Sequence, residues 1–152
     1  KLFEKFGIFT KVELESREEI LYETYAKSLN IEAVTMIDMA SKQYIPAVVR
    51  YSRSLADTVL AVKAAGVEPS VQAEFLQDVC KKLTAAKAAL AKLEEVTAQA
   101  AAMKEARAQA FFYKDTVKKA MEELRTPIDE LEKVVDKEVW PVPTYGELTF
   151  EV

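Results

Sequence analysis

Histidine is absent from the 152 residues, and glycine is scarce, with only Gly7, Gly66 and Gly146. Without histidine the chain lacks the commonest general base, the Ser/His and Cys/His nucleophile pairs, and every histidine metal site. Three scattered glycines cannot form either of the common glycine-rich phosphate-binding loops. The composition therefore argues against a self-contained catalytic site.

The scarcity of cysteine, of basic regions and of long apolar runs disfavours several other classes of protein. A single cysteine, Cys80, cannot form an internal disulfide, which is typical of a reducing, cytoplasmic location. The net charge is −4 without a domain-sized basic region, so nucleic acid is not an expected partner. No run of about 18 uncharged apolar residues occurs, so no membrane span is expected. The chain opens on Lys1 without a signal sequence, and residues 1–152 are interpreted as one domain of a longer protein.

Apolar residues follow a regular helical spacing from Ala26 onward. They are Ala26, Leu29, Ala33, Ile37, Ala40, Tyr44, Val48, Tyr51, Leu55, Val59 and Val62. This pattern repeats every 11 residues and predicts one face of a long helix. Thr10 followed by Glu13 predicts a capping box at its start, and Gly66 predicts its end. Pro46 predicts a kink that divides the helix near residues 42–46.

Two further tracks of the same kind predict two more helices. The second track is Leu76, Val79, Leu83, Ala86, Leu90, Leu93, Thr97 and Ala100, and the third is Ala110, Tyr113, Val117, Met121, Leu124, Ile128, Leu131 and Val135. At their boundary, residues 99–105, a turn and a continuous bend are both compatible with the alanine-rich sequence. Pro127 predicts a second kink. The expected fold is therefore all-α: an elongated antiparallel bundle of about three long helices, two of them kinked by proline.

The two chain ends are rich in aromatic residues. Residues 1–10 and 140–152 are 23 of the 152 positions but hold six of the fourteen aromatic side chains. We expect short extended arms here, with a turn at Gly146. Since free tails are normally polar, aromatic arms should be docked on this bundle, on a neighbouring domain or on another subunit. The candidate interface residues are Phe3, Phe6, Phe9, Trp140, Pro141, Pro143, Tyr145 and Phe150.

The remaining candidates for chemistry are better explained as structure. Carboxylate pairs fall mostly off the apolar tracks and predict a solvated face; they are Glu18/Glu19, Glu94/Glu95, Glu122/Glu123 and Glu130/Glu132. Cys80 borders the second track, where a buried or half-buried thiol is expected. No catalytic, cofactor-binding or metal-ligating residue is therefore predicted.

Several segments resemble the C-terminal region of type III glutamine synthetases, the large bacterial class of that enzyme. The most specific is the ending from Val135 to Val152, with its Trp-Pro-x-Pro-x-Tyr motif at Trp140 to Tyr145. Two other segments resemble the family in the same order. One is Glu13 to Ile20, followed by Ile31-Glu32-Ala33 and Ile45-Pro46-Ala47; the other is Phe112-Tyr113 with Met121-Glu122-Glu123-Leu124-Arg125.

The resemblance implies a helical C-terminal domain that supports subunit packing in a glutamate–ammonia ligase and is not itself catalytic. Such enzymes use ATP to phosphorylate the side-chain carboxylate of glutamate, and ammonia then displaces phosphate. ATP and Mg²⁺ are expected only in the catalytic domain upstream, since none of the family's binding motifs occurs here. Family members form ring-based dodecamers, so the implied partners are the catalytic domain of the same chain and neighbouring subunits of a homo-oligomer.

Two alternatives remain open at this point. One is a free-standing helical-bundle scaffold or protein-interaction module. The other is an exchangeable amphipathic lipid binder, which the alanines of the second track and the lack of Trp or Phe on it argue against.

Overall fold

The computed structural model describes residues 2–143 and 145–150, and its only regular elements in that part of the chain are helices. In chain order they are α1 (Leu2–Lys5), α2 (Lys11–Met39), the π-helical turn π1 (Ala40–Tyr44), α3 (Ile45–Ala64), α4 (Ser70–Ala101), α5 (Ala106–Phe112), the π-helical turn π2 (Tyr113–Val117), α6 (Lys118–Glu132) and α7 (Tyr145–Phe150). The all-α class is confirmed. The two long helices are α2 and α4, with 29 and 32 residues.

The capping box predicted for the start of α2 is confirmed. The Glu13 backbone N–H donates to Thr10 Oγ1 at 3.3 Å, and the Thr10 backbone N–H donates to Glu13 Oε2 at 2.7 Å. The hydrogen bond from the Thr10 backbone lowers the pKa of Glu13 because it stabilises the carboxylate. The first turn of α2 therefore has its free N–H groups partly satisfied without help from another helix.

A glycine ends α3 as the sequence predicts. Gly66 has a φ of +78°, a left-handed conformation that residues with a Cβ rarely adopt. The Gly66 N–H donates to the Lys63 carbonyl at 3.0 Å, and the Val67 N–H donates to the Val62 carbonyl at 3.3 Å. This pair of bonds is a Schellman motif, which turns the chain toward Pro69 and the start of α4.

The division predicted near residues 42–46 is a π-helical turn. The Ile45 N–H donates to the Ala40 carbonyl, so π1 holds one residue more than a regular helical turn. Pro46 follows directly, at the start of α3. Because proline has no N–H and its ring would clash with the carbonyl four residues earlier, a wider turn accommodates it. The expected proline kinks are not confirmed, since α6 also continues through the buried Pro127.

The boundary left open at residues 99–105 is a turn. Helix α4 ends at Ala101, and α5 begins at Ala106 after a non-helical stretch. The Glu105 side chain caps α5, accepting hydrogen bonds from the Arg107 and Ala108 N–H groups at 3.0 and 2.5 Å. This turn sends the chain back along α4.

Helix α4 packs most extensively against α6 and α3. Lys92 Nζ lies 2.5 Å from Glu123 Oε2, and Gln109 Nε2 donates to the Ala100 carbonyl at 3.0 Å. Residue numbers fall along α4 as they rise along α5 and α6, so these helices run antiparallel. The hydrogen bond from Lys92 also lowers the pKa of Glu123, because it stabilises the ionised carboxylate.

Helix α2 runs in the same direction as α5. Tyr22 packs on Phe111 with ring centroids 6.1 Å apart, and Tyr113 Oη donates to Asn30 Oδ1 at 2.8 Å. The residue numbers of both partners rise together, which indicates parallel helices.

The three apolar tracks face the core, as predicted. Every track residue is buried or half-buried. The largest fully buried side chains are Tyr113, Leu90, Leu93, Leu124, Leu131, Val48, Val79 and Val117. Leu55, Val59 and Val62 are only half-buried, so the core thins toward the end of the α3–α4 hairpin.

The extended conformation predicted for the two arms is wrong at residues 2–5 and 145–150. Leu2–Lys5 and Tyr145–Phe150 are short helices, and Gly146 lies inside α7 instead of forming a turn. Glycine disfavours a helix in isolation. The segment Tyr145–Phe150 is nevertheless held on the rest of the chain by an ion pair, in which Lys137 Nζ lies 2.6 Å from Glu147 Oε1. The helix before Trp140 also ends early, at Glu132.

Candidate functional site

Trp140 is buried against the helices of this chain, with 7% of its surface exposed. Its ring centroid lies 5.1 Å from that of Tyr44, with the two planes tilted by 33°. Tyr44 is the last residue of π1, so the wide turn before Pro46 places the phenol ring beside the indole. The contact joins the segment after α6 to the junction of α2 and α3.

The segment before Trp140 is held by Asp136. The N–H groups of Val139 and Trp140 donate to the Asp136 carbonyl at 2.9 and 3.0 Å. The Glu138 N–H donates to Asp136 Oδ1 at 2.9 Å. One residue thus fixes the turn that directs the indole inward. The predicted interface residues Pro141 and Pro143 follow it and are exposed.

A cavity of about 260 Å³ lies beside Trp140, between π1, α6 and the chain end. Asp129 and Glu132 line it, and Arg125 Nε donates to Asp129 Oδ2 at 3.2 Å. Among the described residues that line it, there is no serine, cysteine, histidine or lysine. The polar side chains of the cavity are thus two carboxylates and the phenol of Tyr44, and one of the carboxylates is paired with arginine.

The indole nitrogen Nε1 of Trp140 is buried and has no hydrogen-bond partner among the residues that the structure describes. A buried N–H without an acceptor costs about 1–3 kcal/mol. The apolar packing of the ring must outweigh that cost for the indole to stay buried.

The N-terminal aromatic residues form a small cluster of their own. The rings of Phe3 and Phe9 meet edge to face at 6.2 Å, and the Arg17 guanidinium lies 4.5 Å above the Phe9 ring. Gly7 has a φ of +65°, which lets the chain reverse between α1 and α2. Phe9 is half-buried by these contacts, but Phe3 and Phe6 are 45% and 68% exposed.

The candidate interface residues of the C-terminal segment differ in burial. Phe150, in the short helix α7, is 83% exposed. Leu148 lines the cavity but remains 69% exposed. The side chain of Tyr145 lies outside the described residues. The predicted interface residues are therefore divided between a buried Trp140 and largely exposed ends.

Comparison with known proteins identifies the family. The family model for the glutamine synthetase C-terminal domain matches residues 1–63. A glutamine synthetase from Butyrivibrio fibrisolvens is 37% identical over 153 residues, which cover 99% of this chain and 22% of that protein. A type-3 glutamine synthetase from Dictyostelium discoideum is 33% identical over 156 residues, which cover 99% of this chain and 21% of that protein. The chain belongs to the glutamine synthetase C-terminal domain family.

A third relative, the glutamine synthetase of Bacteroides fragilis strain YCH46, is 29% identical over 149 residues, covering 94% of the chain and 20% of that protein. The chain thus spans about a fifth of the length of these relatives. The resemblance to type III glutamine synthetases is confirmed. The segment matched by the family model ends just before Ala64, the last residue of α3. In this glutamine synthetase C-terminal domain, the matched segment therefore includes the N-terminal aromatic cluster. It also includes Tyr44, the residue that packs on Trp140.

One buried polar contact could not be predicted from the sequence. Tyr113 is 1% exposed, and its hydroxyl bonds to Asn30 on α2 across 83 residues of chain. Burial raises the pKa of Tyr113, because the charged phenolate would be poorly solvated there. Tyr113 belongs to the third track and Asn30 follows Leu29 of the first, but a track does not indicate which positions on two helices meet.

The prediction that the carboxylate pairs lie on a solvated face agrees with the structure. Six of their eight members are exposed, and Glu123 and Glu132 are half-buried. Cys80 is exposed, so the expectation of a buried or half-buried thiol is wrong. Across the described positions, no three His, Cys, Asp or Glu side chains come together as ligands for a metal ion. None of the described helices combines the length and hydropathy needed to cross a membrane.

Proposed function

We propose that the chain is the accessory C-terminal domain of an ATP-dependent type III glutamine synthetase, and that it supports subunit packing without being catalytic. The observation that carries this proposal is the match itself. Almost the whole chain aligns with glutamine synthetases, yet it accounts for only about a fifth of their length. Four-fifths of such a polypeptide is thus available to hold the catalytic machinery.

The residues of the chain support a non-catalytic role. Ligation of ammonia to glutamate needs a nucleotide site and a divalent cation, which carboxylate oxygens typically hold. The sequence has no histidine and no glycine-rich loop, and its carboxylates are mostly spread over the surface. We assign ATP, Mg²⁺ and the transfer of the phosphoryl group to the remainder of the enzyme.

The proposed architecture and partners follow from the same role. We propose that residues 1–152 form one elongated bundle of three rods, which are α2–α3, α4 and α5–α6. Its partners would be the catalytic part of the same polypeptide and neighbouring subunits of a cytoplasmic homo-oligomer. Exposed apolar side chains at the chain ends, such as Phe6 and Phe150, support a role in assembly because water disfavours them.

The purified 152-residue chain is expected to form no glutamine from glutamate, ammonia, ATP and Mg²⁺. The reason is the absence of a histidine base and of a phosphate-binding loop from the sequence. Glutamine can be quantified by chromatography, and ATP hydrolysis by phosphate release, with the whole enzyme as positive control. Circular dichroism should show that the assayed chain is helical. Sustained turnover by the folded chain would refute the non-catalytic assignment.

A further inference from the structure

Exposed apolar side chains are concentrated at the start of the chain, in residues 2–25, called here the N-terminal arm. In the described part of the chain, seven of the seventeen large apolar residues that are exposed lie in this arm. They are Phe3, Phe6, Ile8, Val12, Ile20, Leu21 and Tyr25. An apolar surface of this density on a helix is typical of an interaction site.

The arm extends beyond the core of the bundle. The first buried residue of α2 is Ala26, so residues 11–25 of this helix hold no buried side chain. At 1.5 Å per residue, this stretch is about 22 Å long. One side of it faces α5: the Tyr22 ring packs on Phe111, and Leu21 and Tyr25 line a shallow cavity together with Phe111. Apolar side chains that stay exposed along a helix of this length are available for packing against another element.

The exposed surface of the arm contains a shallow concavity that is formed by one helix. A shallow concavity of about 750 Å³ runs along α2 between Val12 and Leu21. Among the described residues, all that line it belong to α2: Val12, Glu13, Ser16, Arg17, Ile20 and Leu21. Val12 and Ile20 are 73% and 58% exposed and lie on the same side of the helix, eight residues apart. No other element of the described chain covers this side of α2, so the surface is open to a partner.

The charge of the arm indicates what kind of surface it fits. Residues 11–25 carry two basic groups, Lys11 and Arg17, and five acidic ones, Glu13, Glu15, Glu18, Glu19 and Glu23, a net charge of −3. A complementary partner surface has an apolar centre and basic residues around it. A second copy of the arm carries the same negative charge and would be repelled, so the arm is a poor fit to itself.

We propose that the N-terminal arm docks on the catalytic portion of the glutamine synthetase polypeptide, through an apolar patch with a basic rim. This inference rests on the proposed function. The relatives contain about four times as much chain outside the matched segment as within it, so the partner surface is available in the same enzyme. The arm contributes the apolar residues of the contact, and its glutamates fix the orientation of the bundle.

Hydrogen exchange in the whole enzyme tests this docking. Amides 11–25 should exchange at least about tenfold more slowly in the whole enzyme than in the isolated chain, because a docked helix opens less often. Ile20→Glu and Leu21→Glu should remove that protection, since each places a further carboxylate in the contact. Val71→Glu is the matched control: it lies at the α3–α4 hairpin end and is 66% exposed, against 58% and 69% for Ile20 and Leu21. It should leave the protection unchanged.

Folding of the variants can be checked on the isolated chain. All three positions are exposed, so the urea midpoint of each variant should equal that of the unaltered chain. Equal exchange of the arm in the chain and in the whole enzyme would overturn the docking proposal, as would retained protection in Ile20→Glu. Concentration-dependent association of the isolated chain that Ile20→Glu abolishes would instead identify a second copy as the occupant and overturn the proposed partner.

Failure of the docking proposal can be distinguished from failure of the proposed function. If removal of the whole 152-residue segment changes assembly while the arm exchanges freely, the packing role stands and only the docking surface is wrong. If removal changes nothing, the proposed function itself fails.

Discussion

Leu90→Ala is expected to destabilise the chain by about 2–5 kcal/mol. Leu90 lies on the second apolar track, in the middle of α4, and is 0% exposed. Helix α4 packs against both α3 and α6, so the lost side chain leaves a cavity that neighbouring helices on two sides cannot easily fill. Urea denaturation followed by circular dichroism measures the change in the free energy of unfolding.

Leu60→Ala is the matched control for this prediction. It makes the same chemical change in a helix, but Leu60 is 66% exposed, so its effect should stay within about 0.5 kcal/mol. Leu55→Ala should fall between the two, because Leu55 is half-buried near the thin end of the core. Equal losses of stability at Leu60 and Leu90 would mean that the apolar tracks do not form the buried face.

Trp140→Ala is expected to cost about 3–5 kcal/mol. The indole is 7% exposed and packs on Tyr44, where it closes the segment after α6 over the α2–α3 junction. Trp140→Phe should cost much less, because phenylalanine retains part of the ring packing and removes a buried N–H that has no acceptor in the described part of the chain. Trp140 is the only tryptophan, so unfolding of both variants must be followed by circular dichroism.

Phe150→Ala serves as the control in the same segment. Phe150 is 83% exposed, so its truncation should change stability by no more than about 0.5 kcal/mol in the isolated chain. A large loss at Phe150, or a loss in Trp140→Phe as large as in Trp140→Ala, would contradict the packing described for this end.

Much of the core was predictable because it depends on local periodicity. Each track residue is buried or half-buried, and the ends marked by Thr10 and Gly66 are where the sequence places them. These features follow from helical geometry and from the conformations available to a cap residue and to glycine. Neither requires knowledge of which helices are neighbours.

The features that sequence did not predict depend on tertiary contacts. The π2 turn has no proline near it: its bond from the Lys118 N–H to the Tyr113 carbonyl occurs where Tyr113 and Val117 are both buried. The contact of Tyr113 with Asn30 likewise depends on the relative register of two helices. Sequence periodicity leaves that register undetermined. The start of α5 was also hard to predict, because its cap residue, Glu105, is not one of the residue types that commonly cap helices.

The candidate interface was predicted only in part. Aromatic composition drew attention to both ends, but it could not separate a buried Trp140 from an exposed Phe150. It also missed Val12, Ile20 and Leu21, which are aliphatic and lie within a helix. Their exposure results from α2 extending past the core, since the first buried residue of this helix is Ala26.

The most direct test of the account is the mass of a glutamine synthetase that carries this chain, measured by light scattering with and without the 152-residue segment. We predict that removal of the segment yields smaller or dissociating assemblies, while the ATP-dependent chemistry remains detectable in any subunits that stay associated. A truncated enzyme with unchanged subunit number, unchanged thermal stability and unchanged activity would contradict the proposed role in subunit packing.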